Sequence, residues 1–438
     1  MRGLRSTLVL AVVLIGLASY IYFVDSKKPV GDAETKEKVF ADVKADEIEE
    51  LALKAESGER SRVRKTNGQW ALVEPEAAGA DEGEISSLTS SLPDLEIQRV
   101  VDEKPADLKP YGLDPARIEV GFRTKDGKEM KQLLIGDKTP TGSELYAKLP
   151  GSPRVVLLSS FIDGTFNKNP FALRDKTVLE FERDKVTTLD LASSKGEFQF
   201  AKSGTEWTIV KPIAARGDFG TIEGIVERLN ALRMQSIVAP EAGDLKKYGL
   251  DKPTGTITVG SGSSRATLLL GSTDNAVIHA KDVSRPLVFA VAPTITDDVF
   301  KPLADLRSKD LFDARSFTAT RTEFKRGAET LTFEKAKGKD DKEIWKDAAG
   351  KDVDAAKVDE LLNRVTALRA DGFEAAVHPS LKSPVLTVTI RYDKGTMETV
   401  TFGRGGSDVF ASRAGEPGSA RVAATAFDEA LKSLDAMK

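Results

Sequence analysis

The sequence predicts an α+β protein: an N-terminal transmembrane helix followed by three tandem repeats, each a mostly antiparallel sheet with one main amphipathic helix. Three observations predict it. The only three tryptophans, Trp70, Trp207 and Trp345, recur at spacings of 137 and 138 residues. The phrase Leu108-Lys109-Pro110-Tyr111-Gly112-Leu113-Asp114-Pro115 returns as Leu245-Lys246-Lys247-Tyr248-Gly249-Leu250-Asp251-Lys252-Pro253, with a weaker echo at His378-Pro379-Ser380-Leu381-Lys382-Ser383-Pro384. An uncharged apolar run, Leu8 to Val24, precedes all of it.

Taken in order, the apolar run holds 17 residues and follows Arg2 and Arg5. At about 1.5 Å per residue such a helix reaches roughly 26 Å, close to the hydrocarbon thickness of a bilayer. Tyr20 and Tyr22 sit near one end, where amphipathic rings favour the interface. Gly16-Leu17-Ala18 has the small residues of a cleavage site, but the run continues through Val24, which favours an uncleaved anchor. The arginines place the short N-terminus in the cytoplasm and the rest outside, although Lys27 and Lys28 flank the far end. The expected spans are 1–24 for the stub and anchor, 25–38 for a charged linker, and 39–175, 176–309 and 310–438 for the repeats. A period this long points to tandem domains, because solenoid repeats run about 20–50 residues.

Within each repeat a strand carries the tryptophan, as in Gln69-Trp70-Ala71-Leu72-Val73. A buried aromatic of this size anchors a core. Asp81, Asp218 and Asp354 then stand as helix N-caps, and Glu84 lies three residues after Asp81 in a capping-box spacing. The helices follow with apolar stripes: Ile85, Leu88, Leu92 and Leu95; Ile222, Ile225, Val226, Leu229 and Leu232; Val358, Leu361, Leu362, Val365 and Leu368. Offsets of three, seven and ten put each stripe on one helix face, as core. Strands are expected at 97–101 and 234–238, and weakly at Gly372-Phe373. The repeated phrase follows as a tight turn, with Leu113, Leu250 and Leu381 as apolar plugs. Alternating strands such as Ile118 to Phe122 and Leu386 to Tyr392 predict one packed and one wet face. Gly136, Gly271 and Gly403 close the next strand, and a last apolar strand is expected at 155–158, 287–290 and 421–424.

The composition excludes several chemistries. The near balance of 64 basic and 68 acidic residues offers no field for nucleic acid. Without cysteine there is no thiolate metal site, no cysteine nucleophile and no lipidation site. His279 shares its place with Tyr146 and Phe410, a packing position on a strand, and His378 falls beside the third turn at the surface. Asp114 and Asp251 are expected to bond local backbone N–H groups, as turn aspartates do. Gly136-Asp137-Lys138-Thr139-Pro140-Thr141-Gly142 lacks the spacing of a phosphate loop, and mixed-sign runs such as Lys339 to Glu343 are solvated loops. No catalytic, cofactor-binding or metal-ligating residue is predicted.

The Trp70 strand, the Asp81 helix, Leu108 to Pro115, Leu134-Ile135-Gly136, Thr139-Pro140-Thr141-Gly142 and Tyr146-Ala147-Lys148, in that order, resemble the DUF4340 family. The likeness continues through the second repeat and more faintly through the third. It implies a membrane-anchored bacterial envelope protein of unknown biochemical function, often encoded beside ABC-type transporters of the gliding-motility auxiliary kind. It supplies no catalytic residues. The expectation is a non-enzymatic accessory or scaffold in the bacterial inner membrane, with its body in the periplasm. Its expected partners are the membrane and ABC transporter subunits or other envelope proteins, with no cofactor, metal or nucleic acid. The alternative is an extracytoplasmic binding module for a cell-wall or exopolysaccharide polymer. A hydrolase would require clustered carboxylates that the spacing does not provide.

Overall fold

The computed structural model describes residues 36–338, 342–393 and 395–438. The expected anchor and nearly all of the linker lie outside the described residues, as does Lys339-Asp340-Asp341. Among the described residues no helix is long and apolar enough to cross a membrane. Residues through Lys176 form one compact unit and Thr177–Lys438 a second.

The first unit is built on one nine-stranded antiparallel sheet. Its strands are β1 (Ile48–Lys54), β2 (Arg60–Thr66), β3 (Gln69–Glu74), β4 (Ala78–Gly79), β5 (Arg99–Asp102), β6 (Ile118–Thr124), β7 (Lys131–Lys138), β8 (Glu144–Lys148) and β9 (Val155–Ser159). Their spatial order is β4-β3-β2-β1-β6-β7-β8-β9-β5. The chain meanders outward from β1 to β4, returns to pair β6 with β1, and meanders the other way. Local chemistry sets the hairpins: Asn67 and Gly68, both with positive φ, make the two-residue turn between β2 and β3. Alternation sets the faces. Leu51 pairs with Val63 and Phe122 on the packed side, while Ala52 pairs with Arg62 and Gly121 on the other.

The second unit holds two further nine-stranded sheets with the same order. One runs from Val186–Ser193 to Val288–Val291, the other from Ala319–Arg326 to Ser419–Val422. The fold is therefore α+β and repeated three times. The main helices are α1 (Glu82–Ser91), α2 (Phe219–Ala231) and α3 (Ala355–Thr366). The predicted stripes are their buried faces: Ile85 and Leu88 in α1, Ile222, Ile225, Val226 and Leu229 in α2, and Val358, Leu361, Leu362 and Val365 in α3. Fully burying each such side chain contributes about 1.5–3 kcal/mol. All three predicted caps form. Asp81 accepts from the N–H groups of Gly83 and Glu84, Asp218 from Thr221, and Asp354 from Ala356.

Four expectations are corrected. The returning half of the capping box is absent: the Asp81 N–H donates to the Leu173 carbonyl at 2.8 Å, and Glu84 pairs with Lys168. Each repeat has more than one helix. The first two end on pairs of short helices, Ile162–Phe166 with Pro170–Leu173 and Thr294–Val299 with Leu303–Leu306. The third ends on a long helix, α4 (Ala424–Asp435), which buries Phe427, Ala430, Leu431 and Leu434 at helical spacing. Ala424 therefore opens α4 and the last strand stops at Val422. The strands after α1 and α2 begin two residues later than expected, at Arg99 and Ser236.

Candidate functional site

The repeated phrase is the natural place to look for chemistry. In each repeat it forms a 3₁₀ turn: Lys109–Tyr111, Leu245–Tyr248 and Pro379–Lys382. Gly112 and Gly249 end the first two in the left-handed conformation, at φ 65° and 67°. The turn carbonyl then lies on the bare backbone of the glycine in the neighbouring strand. A Cβ on Gly136 would sit 2.0 Å from the Tyr111 oxygen, and one on Gly271 2.1 Å from the Tyr248 oxygen. On Gly403 it would sit 2.6 Å from the Ser380 carbonyl. Leu113 and Leu250 are buried beneath the turn. The two recurring glycines thus form one closure, a turn docked on a strand.

Each closure carries an aromatic pair, one ring from the turn and one from the strand: Tyr111 with Tyr146, Tyr248 with His279, and His378 with Phe410. The packing role expected for His279 holds, with its ring edge-on to Tyr248 at 5.5 Å. The surface role expected for His378 does not. Its ring stacks on Phe410 at 3.6 Å, and its Nδ1 accepts from the Ser380 N–H. His378 thus takes the part of Tyr111 and Tyr248, although the sequence aligned it with Pro110.

Ser272 approaches His279 Nδ1 at 3.2 Å, which invites a nucleophile–base reading. The Ser272 hydroxyl proton, however, goes to the Tyr248 carbonyl at 3.0 Å. A hydroxyl has one proton to donate, so the imidazole is the donor in the second contact. The serine is held without being activated. In the first repeat the Tyr111 hydroxyl donates to Asp102 at 3.3 Å. Burial and the Asp102 carboxylate push its pKa up, which keeps it protonated. Asp114 and Asp251 are exposed, and among the described residues neither makes the expected backbone bond. Asp107 and Asp244 instead accept from the N–H groups of Lys109 and Lys246. No group of three His, Asp or Glu side chains among the described residues is arranged to hold a metal.

The tryptophans show a second recurring arrangement. A lysine stands over each ring: Lys65 over Trp70 at 6.0 Å, Lys202 over Trp207 at 5.5 Å and Lys335 over Trp345 at 5.3 Å. The indole N–H of Trp207 donates to Glu223 at 2.7 Å, and that of Trp345 to Asp359 at 3.3 Å. Both acids lie five residues after the helix N-cap. Ser86 occupies that place in the first repeat, and Trp70 is only half-buried, a departure from the expected core anchor.

Sequence reasoning missed a partly buried ion cluster between the second and third repeats, inside the second unit. Glu416 receives Arg216 at 2.6 Å and Arg307 at 2.9 Å. Arg216 also contacts Asp313, which pairs with Arg413 at 2.8 Å. Arg413 reaches the buried Glu398 at 2.9 Å, and Arg307 lies over the Phe373 ring at 4.1 Å. Burial pushes the Glu416 carboxyl up, but the charges of Arg216 and Arg307 outweigh it and hold it below the usual carboxylate range. The three guanidinium groups and three carboxylates balance, so the cluster joins the repeats and leaves no net charge. Arg216 and Glu416 lie 200 residues apart, and no local pattern couples them.

The model of the family described as Domain of unknown function (DUF4340) matches residues 70–209 and 207–384. Each match opens on a tryptophan strand, so the sequence unit has the period of the repeats but begins and ends inside sheets. No curated protein matches the chain. Among solved structures, a DNA polymerase sliding clamp from Pseudomonas aeruginosa with ligand is similar at 10% identity and a TM-score of 0.16, covering 88% of this chain and 92% of that one. The DNA polymerase III subunit beta from the same organism is similar at 10% identity and a TM-score of 0.14, covering 70% and 85%. Neither fold nor function follows from scores this low. The family matches together span more than half of the sequence, and the chain belongs to the DUF4340 family.

Proposed function

We propose that this chain is a non-enzymatic scaffold of the bacterial envelope, held in the inner membrane by Leu8–Val24 with its body in the periplasm, and accessory to an ABC-type transport system. The observation that carries the proposal is what the recurring residues do. The capping aspartates, the tryptophans under their lysines and the glycines under the turns are all used inside their own repeats. What recurs is therefore a shape, and the Arg216–Glu416–Arg307 clasp fixes two such shapes together. The apolar run supports the membrane tether, and the family resemblance supports the transporter as partner. Mild crosslinking of intact membranes, followed by purification of the full chain, tests this. Transporter subunits should be recovered with it. Recovery of the chain alone, or from the soluble fraction, would contradict the proposal.

A further inference from the structure

The outer face of the first sheet differs from its two counterparts. Glu50 on β1 lies opposite Arg64 on β2 and Arg123 on β6, and Arg62 is also within reach. All three guanidinium groups converge on this one buried carboxylate, with Arg64 at 3.3 Å and Arg62 at 3.7 Å. Each arginine side chain remains more than a third exposed. Arg62 also approaches Glu74 at 3.5 Å; a guanidinium has five donors, so Arg64 and Arg123 keep donors facing solvent beside their bonds to Glu50. Beside them Ala52 and Gly121, paired across the strands, floor a depression of about 180 Å³ rimmed by Lys54, Arg60 and Arg62 and by Glu74 and Glu119, with Glu119 2.9 Å from Lys54 and 3.5 Å from Arg60.

The matching positions elsewhere carry no such excess. In the second repeat Thr188 lies opposite Ala201 and Gly260, beside Asp190 and Gln199. In the third, Arg321 lies opposite Glu334 and Arg391, beside Glu323 and Thr332. Over these five positions the charge is +2 in the first repeat, −1 in the second and 0 in the third. The positive face therefore belongs to the repeat that follows the apolar run. In the sequence only 11 residues, Asp25 to Thr35, separate the apolar run from Lys36, the first described residue of that repeat.

We propose that this face binds anionic phospholipid headgroups, so that the first repeat rests on the membrane that holds the chain. The part-exposed guanidinium forks of Arg62, Arg64 and Arg123, which outnumber the one carboxylate they share, fit phosphodiester oxygens. The proposal rests on the anchor reading for proximity, since tethering turns a weak surface attraction into a local one.

Because the chain has no cysteine, Gln132→Cys gives a single labelling site on the rim of the depression. The full-length labelled chain would be floated with vesicles of phosphatidylcholine alone or mixed with phosphatidylglycerol, each containing a headgroup quencher. Flotation with phosphatidylcholine reads the anchor; dependence of quenching on phosphatidylglycerol reads the face. Quenching should rise with phosphatidylglycerol and fall at high salt, where screening shortens to about 3 Å. It should weaken by roughly thirtyfold in partitioning when Arg62→Gln and Arg64→Gln remove two charges. Arg123 then still neutralises Glu50, and Arg60→Gln offers a second, milder variant. Flotation with quenching indifferent to phosphatidylglycerol would overturn the inference and leave the anchor standing. Flotation only with phosphatidylglycerol, abolished by the double variant, would uphold the face and overturn the anchor. No flotation, or a response to soluble polyglutamate but not to vesicles, would overturn the lipid assignment.

Discussion

Replacing Gly271 by alanine tests the turn closure most sharply. The new Cβ would lie 2.1 Å from the Tyr248 carbonyl oxygen and 3.1 Å from two Leu250 side-chain carbons. An ordinary contact needs roughly 3.5 Å, so turn and strand must part by more than about 1 Å. The carbonyl cannot rotate freely, because it accepts the Ser272 hydroxyl and the chain turns at once through left-handed Gly249. Overpacking of this kind costs about 1–3 kcal/mol, and a backbone obstacle places it at the upper end. If the turn undocks instead, Leu250 loses its burial and the Tyr248–His279 contact opens, for about 2–3 kcal/mol. Either route lowers the melting temperature of a unit of this size by roughly 4–12 °C, at ~2–4 °C per kcal/mol. Gly224 in α2 is the control: a Cβ there meets nothing within 4 Å. Gly224→Ala should stabilise by about 0.5–1 kcal/mol, as helix-interior glycines do. Both would be read by thermal melts followed by circular dichroism and tryptophan fluorescence. A Gly271→Ala chain that melts within ~1 °C of the parent would refute the closure.

Glu416→Ala leaves Arg216 and the buried Arg307 without their shared carboxylate and should cost about 3–5 kcal/mol in denaturant melts; a loss below ~1 kcal/mol would show that the cluster does not clasp the repeats. Glu223→Ala should cost about 1–3 kcal/mol and alter the Trp207 emission, because the indole N–H loses its acceptor; an unchanged spectrum would contradict this. The carboxyls of Glu50, Glu223 and Glu416 are held below their ordinary range, each by arginine or lysine partners that outweigh burial. A depressed folded value contributes stability above the unfolded value of about 4.3, and that stability is lost as the pH falls through the folded value. Melting temperature should therefore change little from neutral pH to about pH 5 and drop below about pH 4, less steeply in Glu416→Gln; a flat acid limb would count against these pairings.

The repeats were legible because they depend on local rules. An aspartate that caps, a stripe at offsets of three, seven and ten, and a glycine at a turn all act within a few residues of themselves. Asp81, Asp218 and Asp354 therefore stand where their helices begin. The third turn was harder, because its aromatic is a histidine and its glycine is gone. Only the stack on Phe410 shows that His378 replaces a tyrosine. Long-range pairings were invisible. Glu50 looks like an ordinary strand acid, yet register brings Arg64 and Arg123 to it from either side. Trp70 matches the other tryptophans in spacing but has Ser86 where they have an acid. The helix after Val422 went unread because the apolar residues before it continued a strand pattern into its first turn.

Whether the chain holds rather than converts is read most directly by one comparison. The yield of crosslinked membrane complex would be measured for the parent chain, for Ser272→Ala with His279→Phe, and for Gly271→Ala. The first substitution removes the polar groups of the second turn, and the last removes its docking. Parent-like yield is expected without the polar groups, and a yield that falls with stability when docking is lost. A Ser272→Ala, His279→Phe chain that melts like the parent yet recovers no partner would contradict it and make the turn a site.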